Sequence, residues 1–180
     1  MPSDSWPADL PALVEGDILL YHPSGVFGHL IAVKTWHRVS HVEIYVGAAQ
    51  SVASRDGVGV GQYPLRLAQL AFALRPRVPL NWTAGLAYFE SMKGQPYGWW
   101  DLFEFVGAPV NRKGIVCSPF AAGLLRACGW PVFPTDPIEK VAPFQFLDLI
   151  EPGVCDLVYD ADHPAPLLAP RLPSDCGDPS

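Results

Sequence analysis

The chain is poor in charge and has no apolar run long enough to cross a membrane. Charged residues make up 17% of its 180 residues, below the roughly 25% of an average soluble domain. A disordered chain or a coiled coil would need more charge, so both classes are excluded. No apolar run reaches the roughly 18 residues of a membrane span. The first residues are acidic and broken by proline, which does not fit a signal peptide, and we expect a cytoplasmic or phage-associated protein.

The chain also lacks the basic surface and the metal-binding motifs of several common protein classes. It has 12 basic and 18 acidic residues, and the densest basic cluster, Arg66 with Arg75 and Arg77, is too thin for a nucleic-acid surface. It contains four cysteines but no C-x-x-C pair, no H-E-x-x-H, no G-x-S-x-G and no phosphate-binding loop. We therefore expect no nucleic acid, no metal and no cofactor. Each cysteine is either buried packing or a reactive thiol.

Proline is in excess, with 20 in 180 residues, and this predicts short elements joined by ordered loops. Apolar and alternating stretches predict strands over Ile18–Tyr21, His41–Val46, Gln50–Ser54, Val58–Tyr63 and Leu70–Leu74. Helical spacing, capping residues and glycine stops predict helices over Phe27–Trp36, Asn81–Lys93, Trp99–Val106 and Ser118–Cys128. Strands come early and helices late, which favours an α+β fold. The length predicts one domain, over residues 1–155, followed by a proline-rich tail over residues 156–180.

Cys117 is the cysteine best placed to react. It stands directly before the predicted helix, where Pro119 suits the first turn. A thiol at a helix N-terminus feels the partial positive charge of unpaired N–H groups, which favours the thiolate. The same groups, among them the Ser118 N–H, can stabilise a developing oxyanion. Cys128 lies at the far end of the helix, where the dipole has the opposite effect. Buried packing is the alternative for Cys117.

His41 is the histidine best placed to act as the base that a thiolate nucleophile usually needs. It opens an alternating strand, whereas the other histidines lie in loops or near a short helix: His22, His29, His37 and His163. A strand holds a side chain more rigidly than a loop does. If Cys117 and His41 act together, the thiol and the ring should lie within about 4 Å of each other. A purely structural role is the alternative for His41.

These residues and the turns around them resemble one family of enzymes. The matching pieces are Gly16–Leu20, Ser40–Gly47, Gly57–Val60, Tyr63–Leu65, Gly94–Tyr97 and Cys117–Phe120, the last in a helix that ends at Gly129. In this order they resemble the circularly permuted papain-fold cysteine hydrolases, relatives of the NlpC-type cell-wall peptidases and of the lecithin:retinol acyltransferases. The resemblance covers about residues 14–150. In the permuted branch the histidine strand precedes the cysteine helix, as it does here.

The resemblance implies a permuted papain-like fold and a mechanism. Cys117 would attack a carbonyl and form an acyl-enzyme, and His41 would be the general base. The substrates would be amides or esters, such as peptidoglycan peptides, other isopeptides or acyl lipids. Tyr97 would line the substrate cleft, with buried aromatic packing as the alternative, and the Ser118 N–H would contact the substrate. No cofactor is implied.

The chain departs from this family at the third polar residue, which usually follows the histidine by about twelve positions. That position is Ala53, which cannot orient an imidazole. Glu43 shares the face of His41, and a hairpin closed at Gly47–Ala49 would set Glu43 opposite Ala53. Glu43 is therefore predicted to orient His41, with Ser54 as the alternative orienting residue. A solvated glutamate at a sheet edge is the other interpretation of Glu43.

Three functions are open at this point. The first is a cysteine hydrolase that cleaves an amide or ester bond. The second is a lipid acyltransferase or thioesterase of the same fold, which would need an apolar acyl tunnel or a membrane-facing patch. The third is a non-catalytic binding or structural module, for which Ala53 is the best support. The natural substrate and the oligomeric state do not follow from the sequence.

Overall fold

A six-stranded antiparallel sheet forms the centre of the described part of the protein. The computed structural model describes residues 13–23, 38–98 and 114–163. Within them the strands are β1 (Ile18–Tyr21), β2 (His41–Tyr45), β3 (Gln50–Arg55), β4 (Gly59–Pro64), β5 (Leu70–Pro76) and β6 (Cys155–Asp160). Their order across the sheet is β4-β3-β2-β1-β5-β6. The five predicted strands are confirmed, with their ends shifted by one or two residues.

The register of the β2–β3 pair decides which side chains face each other near the predicted site. The Val46 N–H donates to the Gln50 carbonyl oxygen at 3.0 Å, and Ile44 lies opposite Val52. The same register sets Glu43 opposite Ala53, as the sequence predicts. β2 also pairs with β1 on its other side, so β2 is an interior strand and not an edge.

Two α-helices and three short 3-10 segments accompany the sheet in the described residues. The helices are α1 (Trp82–Met92) and α2 (Cys117–Ala127), and the 3-10 segments are Leu67–Gln69, Ile138–Lys140 and Pro143–Leu149. Asn81 caps α1 as predicted, because its Oδ1 accepts a hydrogen bond from the Ala84 N–H at 3.2 Å. α2 starts one residue earlier than predicted, at Cys117 itself. With the antiparallel sheet, these helices confirm the α+β fold.

The sheet has one face in the main core and a second, smaller apolar cluster on its other face. The main core joins sheet residues Leu20, Val42, Ile44 and Val52 to helix residues Phe120, Ala121 and Leu124. The smaller cluster contains Leu19, Tyr21, Tyr45, Leu70, Ala73 and Val158. Because side chains alternate along β2, His41 and Glu43 leave the sheet on the side of the smaller cluster. His41 is the first residue of β2, so its ring lies at the end of the strand.

β6 crosses the predicted boundary between domain and tail. The sequence predicts a tail from residue 156, but the segment 156–160 pairs with β5. Val158 is 5% exposed and belongs to the smaller apolar cluster, which is why this segment joins the sheet. The predicted helices Phe27–Trp36 and Trp99–Val106 and the rest of the tail from residue 164 lie outside the described residues. Within the described residues, no helix is long and apolar enough to cross a membrane.

Candidate active site

Cys117 lies where an extended backbone turns into α2. Val116 has φ −87° and ψ 168°, so the helix begins at the thiol-bearing residue. Ser118 anchors the first turn, because its Oγ donates to the Val141 carbonyl oxygen at 2.7 Å. Cys117 and Ser118 are both buried. The thiol is therefore held at the N-terminus of a fixed helix.

The Cys117 thiol contacts the His41 ring. A side-chain hydrogen bond joins the two, and the backbone N–H groups of Val42 and Ser118 also donate to the sulfur. Burial alone would raise the pKa of Cys117, but the charge and hydrogen bond of His41, with the two N–H groups, lower it below its usual value. The structure thus brings the two predicted residues together and favours a thiolate.

His41 is held between this thiol and a carboxylate. Its Nε2 lies 3.0 Å from Glu43 Oε1. An ionised carboxylate can only accept, so Nε2–H is the donor and Nδ1 is the ring nitrogen left for the thiol. Burial would lower the pKa of His41, but the Cys117 thiolate and the Glu43 carboxylate outweigh burial and raise it to about 9. The thiolate–imidazolium form is therefore favoured.

Glu43 is fully buried, and donors surround its carboxylate. Its side chain is 0% exposed, so the interpretation as a solvated edge residue is wrong. Oε1 accepts from His41 Nε2 at 3.0 Å, from Arg55 Nε at 2.7 Å and from Arg66 Nη2 at 3.0 Å. Oε2 accepts from Arg55 Nη2 at 2.9 Å and from Ser51 Oγ. Burial alone would raise the pKa of this carboxyl, but His41 and Arg55 hold it well below its usual range.

Arg55 and Arg66 are site residues that no sequence motif marks. The signal for Arg55 lay in the hairpin register, because the pairing that sets Glu43 opposite Ala53 also sets Arg55 opposite His41. Arg66 follows β4 in a loop, and only the folded chain shows that it reaches Glu43. Its guanidinium carbon also lies 4.9 Å from the centroid of the Tyr21 ring.

Ser54 leaves β3 on the face opposite to Arg55. It is 0% exposed, and its Oγ donates to the Ile115 carbonyl oxygen at 2.6 Å. The hydroxyl is thus directed at the chain two residues before Cys117 and not at His41. Of the two predicted orienting residues, the structure places Glu43 against the imidazole and Ser54 against the segment that leads to Cys117.

The turn Gly94–Tyr97 is fixed against β4. The Val60 N–H donates to the Gln95 carbonyl oxygen at 2.8 Å. This close approach requires Gly59, which has φ +96° and where a Cβ would lie only 2.2 Å from the Gln95 oxygen. Because this contact holds the turn against β4, it sets the position of the tyrosine at the end of the turn.

Tyr97 is a half-buried phenol close enough to the Cys117 thiol to be affected by its charge. It forms a parallel β-bridge with Ile115, two residues before Cys117. Burial raises the pKa of Tyr97, and the Cys117 thiolate raises it further, so the hydroxyl stays protonated and can donate a hydrogen bond. The exposed Asp56, in the turn after β3, acts electrostatically on both Tyr97 and His41. Asp56 therefore marks the rim of the site.

The other described thiols differ from Cys117. Cys128 and Cys155 are both free and buried, and burial raises the pKa of Cys128 to about 11 and that of Cys155 to about 12. Among the described residues, no group of three or more histidine, cysteine, aspartate and glutamate side chains could hold a metal ion. Cys117 is thus the described cysteine whose pKa is lowered and not raised.

Comparison with known proteins gives a distant similarity. No model of a known protein family matches the chain. Among curated proteins, the chain is similar to the "Probable lipoprotein peptidase YaeF" of Escherichia coli (strain K12), with 30% identity over 124 residues, or 66% of this chain. That alignment covers 45% of the relative, so the chain spans less than half of its length.

Proposed function

We propose that the protein is a peptidase-like cysteine hydrolase that cleaves an amide bond through an acyl-enzyme on Cys117. The observation that carries this proposal is the thiol at the first residue of α2, hydrogen-bonded to His41, which is itself 3.0 Å from the buried Glu43 carboxylate. A nucleophile, a base and a third group that orients the base are the parts that covalent catalysis needs. The similarity to a relative that is named a lipoprotein peptidase supports an amide bond in a peptide as the target.

A permuted papain-like fold is part of this proposal. His41 opens β2 in the first third of the chain, and Cys117 opens α2 later, which is the order of the permuted cysteine hydrolases. The antiparallel sheet packed against the cysteine helix supports the same arrangement. The proposed substrates are peptides or isopeptides, including those of peptidoglycan.

The mechanism follows from the charge state of the pair. The Cys117 thiolate attacks the carbonyl carbon, forms the C–S bond and pushes the carbonyl electrons onto oxygen. The proposed donors to this oxyanion are the Ser118 N–H, at the N-terminus of α2, and the Tyr97 hydroxyl, which lies within electrostatic range of the thiol. The His41 imidazolium then gives its proton to the leaving nitrogen as the C–N bond breaks. Neutral His41 next takes a proton from water as the water oxygen attacks the thioester carbon. The C–S bond then breaks, the acid is released, and the Cys117 thiolate and His41 imidazolium are restored.

The first test measures thiol reactivity in the whole chain. At pH 7, a thiol-directed acylating probe should label Cys117 at least about tenfold faster than Cys128 or Cys155, because only Cys117 has a lowered pKa. Mass spectrometry locates the label, Cys128→Ala is the matched control, and His41→Ala should slow the labelling of Cys117. Equal rates at all three thiols would contradict catalysis and favour a binding module.

The second test identifies the bond that is cleaved. A panel of peptides, peptidoglycan fragments and long-chain acyl esters should show amine release from a peptide by the wild-type protein and none by Cys117→Ala. Turnover of acyl esters alone would assign the protein to the lipid acyltransferases or thioesterases instead.

A further inference from the structure

We propose that Arg55 is a positioning residue for the Cys117–His41 pair and that it acts through Glu43. This inference rests on the proposed function, since it concerns how the base of that reaction is held. Arg55 contacts the carboxylate that contacts the imidazole, so it stands one step away from the reacting atoms. Its effect on the thiol should therefore disappear when Glu43 is replaced.

The first observation is a two-point contact. Arg55 Nε donates to Glu43 Oε1 at 2.7 Å, and Arg55 Nη2 donates to Oε2 at 2.9 Å. A planar guanidinium that meets both oxygens of a carboxylate fixes its plane as well as its position. Oε1 is the same oxygen that accepts from His41 Nε2. Arg55 therefore fixes the oxygen that orients the imidazole.

The second observation is that the guanidinium is itself held. Its Nη2 also donates to the Pro64 carbonyl oxygen at 2.9 Å, and its carbon lies 4.4 Å from the centroid of the Tyr63 ring. The Tyr63 hydroxyl is fixed in turn, because it donates to the Gly59 carbonyl oxygen at 2.6 Å. The Arg55 side chain is 15% exposed, so water can do little to compete with these contacts.

The third observation is that Glu43 needs such a partner. It lies two residues after His41 on the same strand, so the two side chains leave the sheet side by side, and the backbone does not aim one at the other. A glutamate side chain has several staggered rotamers, and the one present places Oε1 3.0 Å from Nε2. Burial without cations would also favour the neutral acid, which holds an imidazolium poorly. Arg66 and Ser51 each donate to one oxygen of this carboxylate, whereas Arg55 donates to both and so fixes its plane.

A second arginine in the same sheet offers a matched control. Arg75 Nε and Nη2 donate to the two oxygens of Asp17 at 2.9 and 2.8 Å, and the Asp17 side chain is 0% exposed. This pair has the geometry of the Arg55–Glu43 pair, but Asp17 precedes β1 while His41 pairs with Tyr21 at the far end of that strand. Arg75→Lys should therefore lower the stability of the fold without changing the reactivity of Cys117.

The decisive variant is Arg55→Lys. Among the described residues, the titratable groups that act on or contact His41 are Cys117, Glu43, Asp56 and Tyr21, and lysine leaves the total charge around them unchanged. Lysine cannot reproduce the planar two-point contact. Any change in the reactivity of Cys117 therefore reports the position of the Glu43 carboxylate and not its charge. We expect Arg55→Lys to raise the apparent pKa of Cys117, measured from the pH dependence of alkylation. We also expect alkylation at pH 7 to slow by about tenfold, the loss expected for one charge-assisted hydrogen bond.

A double-mutant cycle shows whether the effect passes through Glu43. In the Glu43→Gln background, Arg55→Lys should change the alkylation rate by less than about twofold. Arg75→Lys should lower the melting temperature and leave the pH profile as in wild type. A wild-type pH profile in Arg55→Lys, or an equal loss in both backgrounds, would overturn the proposal.

Two further measurements distinguish a failure of the proposed role of Arg55 from a failure of the proposed function. If Arg55→Lys does not fold, nitrogen-15 NMR of the wild-type protein replaces it. The Arg55 Nε–H should exchange with solvent far more slowly than that of the exposed Arg77, and equal exchange would overturn the proposal. A different result would contradict the proposed function, namely that Cys117 reacts no faster than Cys128 in the wild-type chain. A reactive Cys117 that responds to His41→Ala but not to Arg55→Lys would reject only the role of Arg55.

Discussion

Glu43 and Ser54 come from neighbouring strands, yet their side chains leave the sheet on opposite faces. Glu43 lies 3.0 Å from the His41 ring, and Ser54 donates to the Ile115 carbonyl oxygen at 2.6 Å. The first contact affects the charge state of His41, the proposed base. The second concerns the path of the chain into α2. At the scale of residues, the two should therefore have separable effects on the reaction.

We expect Glu43→Gln to lower kcat/KM for peptide hydrolysis by at least about a hundredfold, because the amide keeps the shape but loses the charge that stabilises the imidazolium. Ser54→Ala should lower it by only about fivefold, the cost of one neutral hydrogen bond. The measurement is steady-state hydrolysis at pH 7. Ser91→Ala is the control, since the exposed Ser91 side chain donates to the Tyr88 carbonyl oxygen within α1. Native activity in Glu43→Gln would contradict a role for this carboxylate.

At the scale of elements, the start of β4 and the turn after α1 are hydrogen-bonded to each other and together position one side of the site. β4 begins at Gly59, whose neighbour Val60 both donates to the Gln95 carbonyl and accepts from the Gly94 N–H. The turn that contains these residues ends at Tyr97, which bridges to Ile115. A substitution at the start of β4 should therefore change the reactivity of the Cys117 thiol, although the substituted residue does not contact the thiol.

We expect Gly59→Ala to lower the melting temperature and slow the alkylation of Cys117, because the new Cβ would lie 2.2 Å from the Gln95 oxygen and force the turn to move. Gly57→Ala is the matched control. It also has a positive φ, +75°, but no atom lies within 4 Å of its new Cβ, so it should cost backbone strain alone. Equal effects of the two variants on Cys117 would show that the turn does not position the site.

The elements that the sequence predicts well are those with local signals. The alternation around His41 and the cap at Asn81 depend on residues within a few positions, so the strand and the helix could be predicted directly. The contacts that complete the site join residues far apart in sequence and could not be predicted in this way. Arg66 reaches Glu43 across 23 positions, and Ser54 reaches Ile115 across 61, and no local pattern records either distance.

β6 shows the same limit at the scale of an element. Its sequence has acidic residues at both ends of a short apolar stretch, which is a weak strand signal in a proline-rich region. The segment becomes a strand because β5 offers an unpaired edge and Val158 packs into the smaller apolar cluster. Both reasons lie far away in the chain, since β5 and the residues of the smaller apolar cluster that Val158 joins all precede residue 77. The hairpin register, in contrast, could be predicted, because a short turn sets it.

At the scale of the whole molecule, Cys117 and His41 make opposing contributions to the pH dependence of stability near neutrality. The pKa of His41 is raised to about 9, so its contribution falls as pH rises above the unfolded value of about 6.5. The pKa of Cys117 is lowered, so its contribution grows as pH rises toward the unfolded value of about 8.5. The two contributions therefore change in opposite directions as pH rises between these values.

Glu43 has no such compensation, so it should make the whole fold sensitive to acid. Its pKa is lowered in the folded state by His41 and Arg55. The stability it contributes is therefore fully present above the unfolded value of about 4.3 and is lost as pH falls through and below that value. We expect the melting temperature of the wild-type protein to exceed that of Glu43→Gln at pH 6, and the difference to shrink steadily toward pH 3.

Differential scanning calorimetry of both variants across this range makes the measurement, and carboxylates that both variants share cancel in the difference. Glu90→Gln is the control for loss of an exposed ion pair, since Glu90 pairs with Lys93 at the surface and such pairs contribute little. A difference between wild type and Glu43→Gln that stays constant from pH 6 to pH 3 would mean that Glu43 is not held as a carboxylate in the folded protein. The charge on His41 would then need another source.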